Sequence, residues 1–225
     1  MCIRDSFTLV STGTWVVALS REGDTAHLDQ RRGTTINADM DGNPICGALT
    51  MGGRAFSAIA GPEWDGRPAV LEVLARLVAQ GSMALPSYGH NEGQFPGSAG
   101  QGRTLGPPPN TQAERTALAV LHAALLTVSC ADVLTGGKRL ILDGTFLKEP
   151  LYAPLVAALR PDSQTEASHE STGVVAGAVQ LARRDMAASV TPLPLETVTP
   201  IAIPGLADYA KQWRINAEQQ GGRAQ

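Results

Sequence analysis

Three short stretches of this sequence could do chemistry through their backbone: Ser11-Thr12-Gly13-Thr14, Met51-Gly52-Gly53-Arg54 and Asp143-Gly144-Thr145-Phe146. Each interrupts or follows an apolar run, so each falls at the end of an expected strand. Glycine lets the backbone come close to a ligand, and successive N–H groups around it form a concave cradle for phosphate oxygens. In open α/β sheets such turns gather at the carboxyl ends of strands, where ligands bind. The residues alone leave a second reading open. Gly13 can belong to a plain hairpin turn, and Gly52, Gly53 and Gly144 can serve geometry only. Neither GxGxxG nor GxxxxGK[ST] occurs, which argues against a Rossmann domain or a P-loop.

Other candidate residues carry blander readings. Arg54 reads as a surface arginine, and Asp39, Asp41 and Asp143 as turn or cap residues. Trp15 beside the first turn reads as a packing anchor. His122 falls inside an apolar helical run and reads as an exposed or hydrogen-bonded bystander. The other histidines, His27, His90 and His169, lie far apart, with no partner at metal-ligand spacing.

Composition narrows the classes. The chain has 225 residues, 43% hydrophobic, enough for a sizeable core. Net charge is −3 with acids and bases interspersed, which argues against nucleic acid or an anionic membrane as main partner. Cys2, Cys46 and Cys130 form neither a disulfide framework nor a CxxC pattern, as suits a reducing compartment. No uncharged apolar run reaches the ~18 residues needed to span a bilayer, and a signal peptide is not evident. The expectation is a cytoplasmic protein. Residues 1–6, MCIRDS, resemble translated adaptor sequence and fit no element. They are set aside as a non-native leader to a reading frame truncated at its start.

The elements that must position these turns follow from periodicity. Residues 7–20 read as strand, tight turn, strand. Residues 21–32 are polar loop, and Ile36, Ala38 and Met40 alternate as a half-buried strand closing at Asp41-Gly42. Residues 44–60 read as strand, glycine turn and helix start. Residues 68–80 have helical spacing, with Gly81 as the stop. A short strand is expected within 82–88, then a glycine- and proline-rich mobile connection over 89–110. Thr111-Gln112-Ala113-Glu114 is a capping box for a helix burying Leu118, Leu121, Leu125 and Val128 on one face.

Residues 138–142 form a buried-type strand, followed by the third glycine turn. A helix begins near Pro150, with a kink expected at Pro154. Residues 164–167 form a strand, and 171–182 a helix with Gly173, Gly177 and Ala178 packed on the sheet. Residues 192–204 are extended, 207–217 form a helix docked by Tyr209 and Trp213, and 218–225 are a disordered tail. A hairpin, then strands alternating with helices, indicates an α/β domain with a mixed sheet, here residues 7–217.

The motif STGTW after FTLV, with DGNPICGALTMGGRAF some thirty residues on, resembles the C-terminal domain of FGGY-family carbohydrate kinases. The S-x-GTW turn is most similar to the branch of L-fuculokinase- and rhamnulokinase-like enzymes. AERTALAVLHAALLTVSCADVLTGGKRLILDGTF resembles the family's long helix, strand and glycine turn, and STGVVAGAVQLA its closing Gly-Ala helix.

The resemblance implies an actin-like, ribonuclease H-like ATPase domain, half of a two-domain kinase with ATP and Mg²⁺ in the cleft. It assigns Gly13 and Thr14 to the second phosphate loop, Gly52 to the nucleotide site, and Gly144 and Thr145 to the adenosine-binding turn. Thr145 stands where many members have a second glycine, and Glu149 where an asparagine commonly contacts the nucleotide. The family's general-base aspartate lies a few tens of residues before the GT turn. Asp5 is too close to serve, so the expectation is no catalytic base in this chain and no sugar phosphorylation by it alone. The sugar or ketose substrate is expected to meet the missing N-terminal domain. A second expectation, from a different class, is a non-catalytic nucleotide-binding or scaffolding module of the actin-like fold.

Overall fold

The structure, a computed structural model, describes residues 7–135, 137–168, 173–182 and 194–221. It opens with the hairpin: β1 (Thr8–Thr12) and β2 (Val16–Ser20) pair antiparallel around a loop at 13–15. After two 3₁₀ turns come β3 (Thr34–Ala38) and β4 (Pro44–Thr50), then α1 (Gly52–Ala60) and α2 (Leu71–Gln80). Next are β5 (Met83–Leu85), β6 (Arg103–Leu105) and the long α3 (Gln112–Asp132). The chain continues with β7 (Arg139–Gly144), α4 (Tyr152–Leu159), β8 (Gln164–Ala167), α5 (Gly173–Ala182), β9 (Glu196–Thr197) and α6 (Leu206–Gly221).

The main sheet is seven-stranded and mixed, in the order β3-β4-β2-β1-β7-β8-β9. β2 runs against both β1 and β4, whereas β7 is parallel to β1 and β8 parallel to β7. So β1, β4, β7 and β8 all point the same way and end on the same edge. That edge is where the three glycine turns meet.

One face of the sheet, carrying Val10, Val16, Ala18, Ala48, Leu140 and Leu142, is fully buried. α3 lies on this face against β1, β2 and β4, flanked by α1, α2 and α4. The capping box forms as expected: Thr111 Oγ1 accepts from Glu114 N–H, and the Glu114 carboxylate accepts from Thr111 N–H. Burial does not stop at one face. Residues 116–131 of α3 are buried on every side, because the sheet lies below them and helices flank them. Its polar side chains find partners inside: Thr127 with the Tyr152 hydroxyl at 2.7 Å, and His122 Nδ1 with the Ala84 carbonyl at 2.7 Å. Among the described residues α3 is the one helix long and apolar enough by composition to cross a bilayer, a consequence of its central position.

Several expectations need correction. The strand at Ile36 is not half-buried: β3 is the outermost strand, and Ile36 is 62% exposed. The 89–110 connection is packed rather than mobile. β6 pairs with β5, Gln94, Phe95 and Ser98 are buried, and Gln94 donates to the Leu49 carbonyl at 3.2 Å. Pro154 is the third residue of α4, where the N–H has no intrahelical partner, so no helical bond is lost. In α5, Gly177, Ala178 and Val179 are exposed, and a Cβ on Gly177 would meet no atom within 4 Å, so this side is not packed on the sheet. Residues 171–172 of the expected helix lie outside the described residues, as do 192–193 of the extended stretch.

The last helix extends past 217 to Gly221, because buried Gln220 donates to the Pro86 and Gln101 carbonyls. Only 222–225 of the expected tail, and the leader at 1–6, fall outside the described residues. Tyr209 and Trp213 dock this helix as expected, donating to the carbonyls of Ser82 at 2.6 Å and Ala84 at 2.7 Å.

Candidate functional site

Strand register places the candidate turns side by side. Gly144 pairs with Thr12, Thr12 with Val16 and Val16 with Thr50, so one row across the sheet ends β7, β1 and β4 together. The residues that follow leave the sheet at one place. Gly53 N–H donates to the Thr14 carbonyl at 3.0 Å, fastening the start of α1 to the hairpin loop. Thr12 Oγ1 donates to the Asp143 carbonyl at 2.8 Å and accepts from Phe146 N–H at 3.2 Å. The Thr145 hydroxyl donates back to the Thr12 carbonyl at 3.4 Å. Three stretches far apart in sequence thus form one rigid floor.

Above this floor is a cleft of about 1040 Å³. Gly13, Thr14 and Thr145 line it, while Gly52 and Gly144 lie behind it. A Cβ on Gly52 would fall 2.6 Å from Val16 Cγ2, so that glycine lets α1 start close against β2. Its neighbour Gly53 takes the place at the cleft. Gly144 has φ of +100°, and a Cβ there would fall 2.1 Å from the Thr12 carbonyl oxygen, so it allows β7 to end hard against β1.

Gly13 differs from both. Its nearest contact for an added Cβ is Thr145 Oγ1 at 4.0 Å, so nothing in the protein fills the space beside it. Its own N–H is engaged by the Trp15 carbonyl at 2.8 Å. What Gly13 offers the cleft is room, and the donors come from Thr14 and the start of α1. No side chain caps that helix N-terminus among the described residues, and although Gly53 N–H is taken by Thr14, the end of the helix still presents the positive end of its dipole to the cleft.

Charge at the cleft favours an anion. Arg54 and Lys148 line it, so Arg54 is a surface arginine placed at a site, and Glu149 is the one carboxylate among the lining residues. Glu149 is committed elsewhere: it accepts from Ala69 N–H at 3.1 Å and from Leu151 N–H at 3.4 Å. Partial burial raises its pKa above the ordinary glutamate value, against those two hydrogen bonds, which lower it. Across the cleft, Tyr88 is pushed up to about 12, mainly by burial. No group of three or more His, Cys, Asp or Glu able to hold a metal ion occurs among the described residues.

The sequence reading missed Thr12, the Glu149–Ala69 tie and Trp64. Thr12 was legible as a polar residue closing an apolar strand. The tie spans eighty residues and has no local signal. Trp64, in a glycine- and proline-rich loop, lines the cleft and stands edge-on to Phe56, ring centroids 5.1 Å apart. Trp15 is 38% exposed and does not line the cleft, so it is only a partial packing anchor.

Comparison with known proteins agrees with this architecture. The chain aligns with a carbohydrate kinase from Novosphingobium aromaticivorans at 27% identity and a TM-score of 0.78, covering 96% of this chain and 48% of that one. A gluconate kinase from Lactobacillus acidophilus shares the fold at 14% identity, TM-score 0.71, with 97% and 47% covered. So does a ligand-bound xylulose kinase from the same organism at 14% identity, TM-score 0.73, with 97% and 47% covered. The chain therefore has the actin-like ATPase fold of these kinases and spans about half the length of each. No curated protein sequence matches it. Residues 4–190 match the family described as carbohydrate kinase FGGY, C-terminal domain. With strand order, glycine turns and family match in agreement, this chain belongs to the FGGY carbohydrate kinases, of which it represents the C-terminal domain.

Proposed function

We propose that this chain is the nucleotide-binding half of an ATP-dependent carbohydrate kinase and that its cleft holds MgATP or MgADP. The observation that carries this reading is the space beside Gly13, which a Cβ would fill, bordered by Thr14, Gly53 and Arg54. Phosphates need room for close backbone approach, N–H and hydroxyl donors, and positive charge; these residues supply each. Thr14 and the first turn of α1 hold the phosphates, and Arg54 neutralises charge. Thr145 closes the floor. ATP supplies the phosphoryl group and Mg²⁺ screens its charge; the cation arrives on the phosphates, since the lining residues include no carboxylate cluster.

Phosphoryl transfer to a sugar also needs a carboxylate to take the hydroxyl proton. The one carboxylate lining the cleft, Glu149, is held by two backbone N–H groups. The base and the sugar or ketose site are therefore assigned to the half of the parent enzyme not represented here, and the chain alone is inactive. The organisation proposed with this is a single kinase domain over residues 7–217, in the cytoplasm. The L-fuculokinase- and rhamnulokinase-like branch rests on the S-x-GTW turn alone and finds no support in the relatives described above.

Titration calorimetry of the purified chain with MgADP tests the reading. Heat of binding that Gly13→Asp abolishes, with the fold intact by circular dichroism, supports it. Absence of any heat of binding in the wild-type chain contradicts nucleotide binding, whereas ADP release from ATP that depends on added sugar contradicts only the inactivity of the chain alone.

A further inference from the structure

A loop over residues 61–70 contributes Trp64, Gly66 and Pro68 to the lining of the cleft. Trp64 lines the cleft and is 41% exposed, unusually open for the largest apolar side chain. It is nevertheless held firmly. Its indole N–H donates to the Arg67 carbonyl at 3.3 Å, its own backbone N–H donates to the Gly61 carbonyl at 3.3 Å, and its ring stands at 68° to Phe56. An edge-to-face contact of that kind covers at most one face of the indole. Phe56 continues to Phe146, with centroids 5.9 Å apart, and Phe146 to buried Tyr152 at 5.3 Å, so Trp64 is the most exposed end of an aromatic ladder that runs from the cleft into the core.

The loop has a second anchor. Glu149 reaches across to accept the Ala69 N–H, while its own neighbour Leu151 donates to the same carboxylate. One side chain thus ties the wall that carries Trp64 to the turn that follows β7. Pro68 and Pro150 stand beside these two groups, also lining the cleft, and make that end apolar and stiff. A held, half-open aromatic face beside two prolines, in the same cleft as the glycine turns, is a platform for a flat heterocycle.

We propose that Trp64 is the base-stacking residue of this cleft and that Glu149 is a positioning residue, acting through Ala69 to hold the Trp64 loop in place for a purine ring. This rests on the nucleotide reading of the same cleft and adds which of this chain's residues receive the base. Stacking a base on an indole adds about tenfold to affinity, independently of the phosphate contacts.

The test is MgADP affinity by calorimetry on the full chain, with thermal unfolding of each variant as a check on folding. Trp64→Leu, which keeps an apolar side chain but removes the π face, should bind ADP about tenfold more weakly, and Trp64→Phe should recover most of the loss. Glu149→Ala should lose affinity similarly and raise the acrylamide quenching of the already half-open Trp64 above its wild-type level, measured in a Trp15→Phe background so that the buried Trp213 is the other fluorophore. Glu149→Gln, which keeps an acceptor for the Ala69 N–H, should restore both. Equal ADP affinity in wild type and Trp64→Leu overturns the stacking role while leaving nucleotide binding in place. Unchanged quenching in Glu149→Ala overturns the positioning role. A wild-type chain that binds no ADP removes the nucleotide reading and this inference together.

Discussion

The Thr12 hydroxyl accepts a hydrogen bond from Phe146 N–H at 3.2 Å, across 134 residues of sequence, while donating to the carbonyl of Asp143 at 2.8 Å. One side chain at the end of the first strand therefore fastens the hairpin loop to the turn after β7. Thr12 is 4% exposed, so water cannot replace either bond. Thr12→Val keeps the shape and removes both, leaving a partly buried N–H and a partly buried carbonyl short of a partner. Urea unfolding should show a loss of about 1–3 kcal/mol, which Thr12→Ser partly restores.

Gly13 and Gly144 are both turn glycines, yet their substitution should act on different properties. Gly144→Ala places a methyl group 2.1 Å from the Thr12 carbonyl oxygen at a φ of +100°, and stability should fall by at least about 2 kcal/mol. Gly13→Ala meets no atom nearer than 4.0 Å, and its stability should stay within about 0.5 kcal/mol of wild type. Its cost should appear in MgADP binding, about tenfold weaker by calorimetry, because the methyl group enters the cleft. Comparable destabilisation by the two variants would contradict this separation.

His122 is buried and neutral, its Nδ1–H donating to the Ala84 carbonyl, and burial lowers its pKa from 6.5 to about 4. A base whose folded pKa is depressed gives stability present above the unfolded value and lost as pH falls through the folded one. The window here runs from 6.5 down to about 4. Wild type should lose up to roughly 3 kcal/mol across it, on top of other acid effects. In His122→Asn, which keeps a donor for Ala84 but cannot titrate, that part of the slope should vanish. Urea unfolding at a series of pH values measures it; parallel slopes in the two proteins would refute the assignment.

Glu149 works in the opposite direction. Its desolvation raises the folded pKa above the ordinary 4.5, so its contribution is fully present below 4.5 and is lost as pH rises through the folded value. Glu149→Gln keeps an acceptor for Ala69 N–H and carries no charge to desolvate. The variant should therefore gain stability relative to wild type as pH rises above 4.5, and the difference should level off once Glu149 is fully ionised. A stability difference that is flat with pH would place the carboxylate in a fully solvated setting.

Much of the fold was written locally. The 7–20 hairpin, the capping box at Thr111 and Glu114 and the stop at Gly81 each depend on residues within one turn of each other, so residue type and spacing settle them. The alternation of strands and helices fixed the fold class, and the three glycine turns marked where strands end. Other expectations failed where tertiary context decides burial. Ile36 alternates like a half-buried residue, but its strand became the outermost one. The 89–110 connection has no periodicity, yet Gln94, Phe95 and Ser98 pack it against the body of the domain.

For the candidate site, the sequence by itself determined that glycine turns would follow strands, and it left Gly13 open between a plain hairpin turn and a phosphate cradle. Only the tertiary structure decided which glycines face the cleft. Strand order and register align Gly144, Thr12, Val16 and Thr50 in one row, an arrangement made by hydrogen bonds between strands that sequence spacing does not encode. The same long-range pairing packed Gly52, Gly53 and Gly144 against neighbouring backbone and strands, left Gly53 of these at the cleft, and brought the Trp64 loop to the same cleft through the reach of Glu149 to Ala69. Local chemistry chose the kinds of turn, and the sheet decided what they surround.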